Sequence, residues 1–309
     1  MRVNELSLGW QTEFILHRLD ARIDERDDCI TVRTDANPNF YWGNCLVLPA
    51  APADDALAFW LARFHALVAA GRPEVRHVAV GIDAARQGCE LPAWCAAGFD
   101  IDEVVALALR PGGLLPLRQK AQQPQTPQAP QSPQTPQTPQ QPQQPPWQLR
   151  LIEDERNREA LIELQCQDSV PYEPAGYRRF QQRQQQRHAR LAQQGRGAWF
   201  GLWCGDTLAA QCGLMRDHAG PGALGRFQQV STHPDWRRRG LCTALVHGVS
   251  QWGFQHWQLA QAVLCADPRD VAIHIYQSLG YQPIGEFWQL QRNAPQDQAA
   301  LAAAPASPT

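Results

Sequence analysis

The chain has 309 residues, a formal net charge of −2, a pI near 6.5 and 44% hydrophobic residues. That length and apolar content suit two ordinary globular domains, and the near-neutral charge excludes a chain built as a whole to wrap nucleic acid or coat an anionic membrane. The N-terminal stretch "MRVNELSLGWQTEFILHRLD" lacks the apolar core of a signal peptide, and no run is long enough to span a bilayer, so the expectation is a soluble, cytoplasmic protein.

In the first part of the chain, "CITVRT", "YWGNCLVLPA" and "VRHVAVGID" read as strands because they are rich in β-branched and aromatic residues. Between them, "ADDALAFWLARFHALVAAG" reads as a helix. Asp54 or Asp55 caps it, Leu57, Trp60, Leu61, Phe64 and Leu67 form a stripe at three- and four-residue spacing, and Gly71 ends it. A second helical piece, "ELPAWCAAG", runs into the strand "DEVVALAL". The nine cysteines (29, 45, 89, 95, 166, 204, 212, 242 and 265) never fall in CxxC spacing. They read as small apolar side chains rather than a disulfide framework or a metal site.

From Ala121 to Pro146 the chain is a near-period-three repeat of Pro, Gln and a small residue. Proline fixes φ and removes donors, so this stretch reads as a polyproline-type linker, about 80 Å long if fully extended. It separates residues 1–112 from residues 147–293, with 113–146 as the linker and 294–309 as a short disordered tail. Downstream, "WQLRLIE" reads as a strand, "NREALIELQCQD" as a helix and "PAGYRRFQQRQQQRHARLAQQG" as a polar segment anchored by Tyr177, Phe180 and Leu191. Strands at "AWFGLWCG" and "TLAAQCGLMRD" meet in a hairpin at Gly205-Asp206, and "GRFQQVST" follows as a third. The end reads helix, strand, helix, strand: "RRGLCTALVHGVSQWGF", "QAVLCAD", "RDVAIHIYQSLG" and "YQPIGEFWQLQR". This order implies an α/β fold, a mixed sheet flanked by helices.

The stretch "VSTHPDWRRRGLCTALV" joins a strand to a helix through Arg237-Arg238-Arg239-Gly240. Helix N-termini carry unpaired amides and partial positive charge, and glycine admits a ligand where a Cβ would stand. Such a turn suits a pyrophosphate, although it has neither Walker A nor GxGxxG spacing. The slightly acidic chain and the lack of interleaved aromatics weigh against nucleic acid as its partner.

Arg237-Arg238-Arg239-Gly240-Leu241-Cys242 resembles motif A of the GNAT superfamily of acyl-CoA-dependent N-acetyltransferases, [Q/R]-x-x-G-x-[G/A], with Cys242 in place of the second small residue. Ala272, Tyr276, Leu279, Gly280 and Tyr281 resemble the family's motif B, though Arg269 stands where an asparagine is common. The resemblance covers roughly Trp147 to Arg292. It implies acetyl-CoA as acyl donor, with no metal, and a small-molecule or peptide amine as acceptor. Backbone groups of Val230, Ser231 and Thr232 would hold the pantetheine arm and thioester, and the turn Arg237, Arg238, Arg239, Gly240, Leu241, Cys242 and Thr243 the pyrophosphate. Tyr276 would be the general acid; a phenol near pKa 10 lies close to a thiol, so little tuning is needed.

Relatives often carry a carboxylate base on the strand before motif A; here Gln228 and Gln229 stand there, and neither can be a base. His233, Asp217, His218 and Glu286 are candidates, and attack by an already neutral amine needs none of them. The basic run "RRFQQRQQQRHAR" reads as a helix beside the acceptor cleft that would favour a carboxylate-bearing acceptor. The first half ends like the same fold, but "VGIDAARQGCELP" offers no phosphate turn. A degenerate GNAT-like domain and an unrelated small α/β domain both stay open there. The reading is an N-acetyltransferase acting by direct attack, its rival a non-catalytic acyl-CoA sensor or adaptor. Monomer and homodimer are equally compatible with the sequence.

Overall fold

In the computed structural model, which describes residues 1–84, 90–117, 147–167 and 173–295, the first half begins with α1 (Leu8–His17), β1 (Arg22–Glu25), β2 (Ile30–Arg33) and β3 (Asn44–Ala50). It continues through α2 (Leu57–Phe64), β4 (Val78–Ala84), α3 (Pro92–Ala96) and β5 (Asp100–Leu109). The second half begins with β6 (Gln148–Leu151), α4 (Glu155–Cys166), α5 (Pro174–Gln193), β7 (Gly197–Cys204), β8 (Thr207–Arg216) and β9 (Leu224–Thr232). It closes with α6 (Leu241–His256), β10 (Gln261–Ala266), α7 (Val271–Ser278) and β11 (Gln282–Arg292). The Pro-Gln repeat lies outside the described residues.

All eleven strands join one sheet, ordered β1-β2-β3-β4-β11-β5-β10-β9-β8-β7-β6. Within each half an antiparallel set leads to a helix and then a parallel neighbour: β3, α2, β4 in the first and β9, α6, β10 in the second. The halves are therefore two copies of one plan, which favours the degenerate-domain reading of the first half over an unrelated domain. Their last strands are exchanged. β11 inserts between β4 and β5, while β5 inserts between β11 and β10, so each half supplies the strand that covers the other's open edge. Open edges are an aggregation liability, and this exchange makes the two halves one sheet rather than beads on a linker.

The local signals explain most elements. The α2 stripe packs Leu57, Trp60, Leu61, Phe64 and Leu67 on the first-half core, and a π-helical turn, His65–Ala69, leads toward Gly71 at φ 71°. Asp54 does not cap this helix. It accepts instead from the Ala93 amide at 2.9 Å, at the start of α3.

Two boundaries move. Residue Gly113, expected to begin the linker, lies against Gly280 so closely that a Cβ there would come within 2.1 Å of the Gly113 carbonyl oxygen. The Leu115 amide then donates to Leu279 O at 3.0 Å. At the other end Ala294, placed in the tail by its sequence, is buried and donates its amide to the Tyr41 hydroxyl at 3.0 Å.

The helix α1 has no counterpart in the sequence reading. It touches β5, β8, β9, β10 and β11, and burial extends to Trp10, Thr12, Phe14, Ile15, Leu16 and His17. A helix buried on most sides shows no clean polar face, so its periodicity is weak.

Candidate active site

Strands β9 and β10 run parallel from Leu224↔Gln261 only as far as Arg226↔Val263. Beyond that pair they diverge, and a cleft of about 340 Å³ opens between Gln228–Val230 on β9, Leu264–Ala266 on β10, Asp267 after it, and Ala272 and Tyr276 on α7 with its cap Asp270. Strand parity decides what faces it. His233 donates its amide to Ala209 of β8, so residues 231 and 233 spend their backbone groups on β8. Backbone groups of Val230 and Thr232 therefore point toward the gap. The Ser231 hydroxyl instead accepts from Gln211 Nε2 at 2.7 Å, on the β8 side.

A β-bulge falls in the same stretch: Gln211 pairs with Ser231 but Gly213 with Gln228, leaving one extra residue on β9. Gln229 takes up the excess at φ 47°, a strained value for a residue with a Cβ and of a kind that gathers at functional sites. Beside it, Gln228 Nε2 is buried without a hydrogen-bond partner among the described residues. An orphaned donor in a cleft fits a ligand rich in amide and thioester carbonyls.

Beyond β9, Arg238 (φ 62°) and Gly240 (φ 78°) turn the chain into α6; no residue of this turn is among those that line the cleft. After Arg237 the next amide with a backbone acceptor is that of Ala244, bonded to Gly240 O at 3.0 Å. The amides between them are the unpaired donors of a helix start. Nothing lies within 4 Å of the position a Gly240 Cβ would take. The guanidiniums look first to the turn itself: Arg237 Nε donates to Thr232 O at 3.2 Å, and Arg239 donates to Asp235 O and sits over the Trp236 ring. Cys242 does not crowd this loop. Its half-buried side chain packs on the second-half core, where burial pushes the thiol up to about 11.

Tyr276 is buried on α7 and reaches the cleft from the opposite side. Burial, followed by the nearby Cys242 and Cys212 thiols and the Asp270 carboxylate, pushes its hydroxyl well above the ordinary phenol range. The expectation of a phenol matched to a thiol is corrected: the buried hydroxyl is a neutral donor and a weaker acid than a free phenol, so proton transfer from it to a leaving thiolate is uphill rather than balanced.

Where a carboxylate would stand, the structure has a chain of amides. Gln185 donates to Gln165, Gln165 to Gln229 Oε1 at 2.7 Å, Gln229 to Gln181 and Gln181 to the Tyr177 hydroxyl at 2.8 Å. None of these groups takes up a proton near neutrality. The sequence-level candidates for a base are set elsewhere. Asp217 and His218 lie at the far end of β9 from Thr232, Asp217 accepting from Leu224 N, and His233 caps the Pro234–Trp236 turn. Glu286 faces Val105 on β11. None of the four lines the cleft.

A second cavity, of about 280 Å³, shares one lining residue with the cleft, Gln229. Its walls come from both halves: Phe40, Tyr41, Trp42 and His77 from the first, Tyr177 and Phe180 from α5. Arg179 is the only arginine of the basic run that reaches it. Arg178 is held by Glu159 and Glu163, and Arg187 is buried against Asp20 at 2.7 Å. The run thus builds structure more than it builds an anion site.

In the first half the turn equivalent to Arg237–Thr243 lies between β3 and α2, upstream of "VGIDAARQGCELP", part of which falls outside the described residues. It carries Asp54 and Asp55, whose charge opposes a phosphate. The described residues contain no group of three or more metal-binding side chains, and no described helix is long and apolar enough to cross a membrane.

Residues 158–281 match the Acetyltransferase (GNAT) family profile. Among solved structures, a functionally unknown conserved protein from Staphylococcus epidermidis superposes with a TM-score of 0.66 at 12% identity, covering 89% of this chain and 95% of that one. A GCN5-related N-acetyltransferase from Kribbella flavida does so with a TM-score of 0.56 at 17% identity, covering 91% of this chain and 93% of that one. The chain has the GNAT acetyltransferase fold. Both superpositions cover about nine-tenths of this chain, so the likeness in fold extends over both halves. No curated protein sequence matches the chain.

Sequence reading missed Gln165, Gln181, Gln185 and Arg226 as parts of this region. Neither α4 nor the glutamine-rich α5 gives a local sign that its amides meet a strand bulge 64 and 48 residues away.

Proposed function

We propose that the second half binds acetyl-CoA and transfers the acetyl group to a primary amine by direct attack, with no covalent enzyme intermediate. The observation that carries this reading is the divergence of β9 and β10 after Arg226↔Val263, which opens a cleft lined by both Val230 and Tyr276. The amides from Arg238 to Thr243 would hold the pyrophosphate, with Arg238 adding charge. Acetyl-CoA supplies the activated carbonyl. Val230 and Thr232 would line up the extended arm by main-chain hydrogen bonds, the Gln228 amide would donate to a carbonyl of it, and Tyr276 would deliver its proton to the departing sulfur. No residue of β9 takes the amine's proton, so that proton leaves through water or the amine arrives neutral.

The amide chain through Gln229 also favours a second reading, an acyl-CoA sensor without turnover. Calorimetry of acetyl-CoA on wild type and Gly240→Ala, paired with coenzyme A release over a panel of amines, tests both. The proposed function expects binding that falls at least tenfold in Gly240→Ala and turnover on some amine. Binding without turnover on any acceptor selects the sensor, and binding indifferent to Gly240 overturns the assignment of the loop.

A further inference from the structure

We infer that the acceptor is a primary amine carried on an aromatic body, taken up in the second cavity with its amine end at Gln229. This deepens the acetyl-transfer reading and rests on it for the chemistry, though not for the binding. Among the described residues Gln229 alone lines both this cavity and the β9/β10 cleft, so a molecule filling the cavity with one end at Gln229 lies at the wall common to the two spaces. Gln229 is fixed there by three hydrogen bonds: its side chain bonds Gln165 and Gln181, and its main-chain carbonyl accepts from Gln211, which is itself held by Trp199 Nε1. That end is polar, rigid and uncharged.

The rest of the space is aromatic. Phe180 stands 5.7 Å from the Phe40 ring and 5.7 Å from Tyr177, and Tyr41 is stacked on His77 at 4.0 Å. Burial pushes His77 down to about 4, so it stays neutral at physiological pH. Trp42 completes the wall, half-buried.

Charge does not choose the ligand. Two carboxylates, Glu74 and Glu173, and two guanidiniums, Arg76 and Arg179, line the cavity and cancel in formal charge. Glu173 moreover accepts from the amides of Ala175 and Gly176 at 2.9 and 2.6 Å. A polyamine would want several unopposed carboxylates, and an acidic acceptor unopposed arginines. Neither arrangement is present, and the aromatic faces remain as the basis of discrimination.

The test uses the full chain with phenethylamine as probe and butylamine, spermidine and glutamate as comparators. The expected result is a kcat/KM for phenethylamine at least tenfold above each comparator. Phe180→Ala and Trp42→Ala, from the two halves, should each raise its KM about tenfold while leaving acetyl-CoA affinity within about twofold. Spermidine or glutamate as the better substrate, or variants that leave the phenethylamine KM unchanged, would overturn the inference and leave acetyl transfer standing. Should the protein fail to bind acetyl-CoA, calorimetry of phenethylamine alone decides: binding weakened by Phe180→Ala sustains the cavity assignment, and no binding ends it. Near-ultraviolet circular dichroism of both variants separates loss of the cavity from loss of the fold.

Discussion

Arg226 of β9 places its guanidinium 2.6 Å from the Glu13 carboxylate of α1, with both side chains nearly buried. The same guanidinium donates to Gly9 O and Thr12 Oγ1 at 3.0 Å, so a helix from the first half is pinned to the last paired residue before the cleft. Removing one partner of a buried pair strands the other charge. Arg226→Met is expected to lower stability by about 3–5 kcal/mol. Adding Glu13→Gln removes the stranded charge and should recover a large part of the loss. Urea unfolding of the two variants checks this; a double variant no more stable than the single would show that the pair is not the source of the effect.

Tyr276→Phe keeps the ring and its packing but removes the proton. Coenzyme A release should fall by about 10²-fold, the lower part of the range for a positioned acid, while acetyl-CoA affinity changes little. Because burial holds the hydroxyl above the ordinary phenol range, the wild-type rate should show no falling limb from this group below pH 10. An alkaline limb near pH 8 that vanishes in Tyr276→Phe would contradict that placement.

These two sites differ in how they could be found. The Gly240 turn and Tyr276 lie in short local patterns, a strand into a glycine turn into a helix and a tyrosine on the next helix, and those placements were legible from the residues that flank them. Arg226 was not, because its partners are more than 200 positions away in the chain and nothing in "GRFQQVST" distinguishes a buried clamp from a surface arginine. The exchange of β5 and β11 was hidden for the same reason: "DEVVALAL" reads as a strand whichever neighbour it pairs with. Asp54 shows the converse failure, since a residue with ideal capping chemistry for α2 is spent on α3 instead.

Cys242 is the departure from the family's motif A, and its contacts decide what it does. The side chain packs on the core beneath α6 rather than in the turn, so Cys242→Gly should leave acetyl-CoA affinity within about twofold. The variant loses buried contacts and places glycine in a helix, which should lower stability by about 1–2 kcal/mol. Burial also holds the Cys242, Cys265 and Cys29 thiols near 11. At pH 8 in the folded protein, iodoacetamide should therefore modify the exposed Cys95 ahead of these three, which stay largely unreacted. Rapid labelling of Cys242, read by peptide mass spectrometry, would place its sulfur in the open turn after all.

His17 ties stability to pH. It is fully buried, both ring nitrogens lack hydrogen-bond partners among the described residues, and the Phe14 and Phe40 rings flank it at 5.5 and 5.8 Å. Burial, reinforced by Arg187 and Arg226, pushes it down to about 3; burial likewise takes His188 to about 3 and His77 to about 4. A histidine held neutral in the fold binds its proton more readily once unfolded, near 6.5. The stability these groups contribute is therefore complete above pH 6.5 and is lost as the pH falls toward 4, by about 1.4 kcal/mol per pH unit for each histidine. His17→Phe keeps an aromatic ring in the Phe14–Phe40 pocket and removes one titrating group. Its urea midpoint should fall less steeply than wild type between pH 6.5 and 4.5, by about a third of the slope the three histidines produce together. Parallel pH profiles for the two proteins would mean that His17 becomes protonated in the folded state without penalty, which its surroundings forbid.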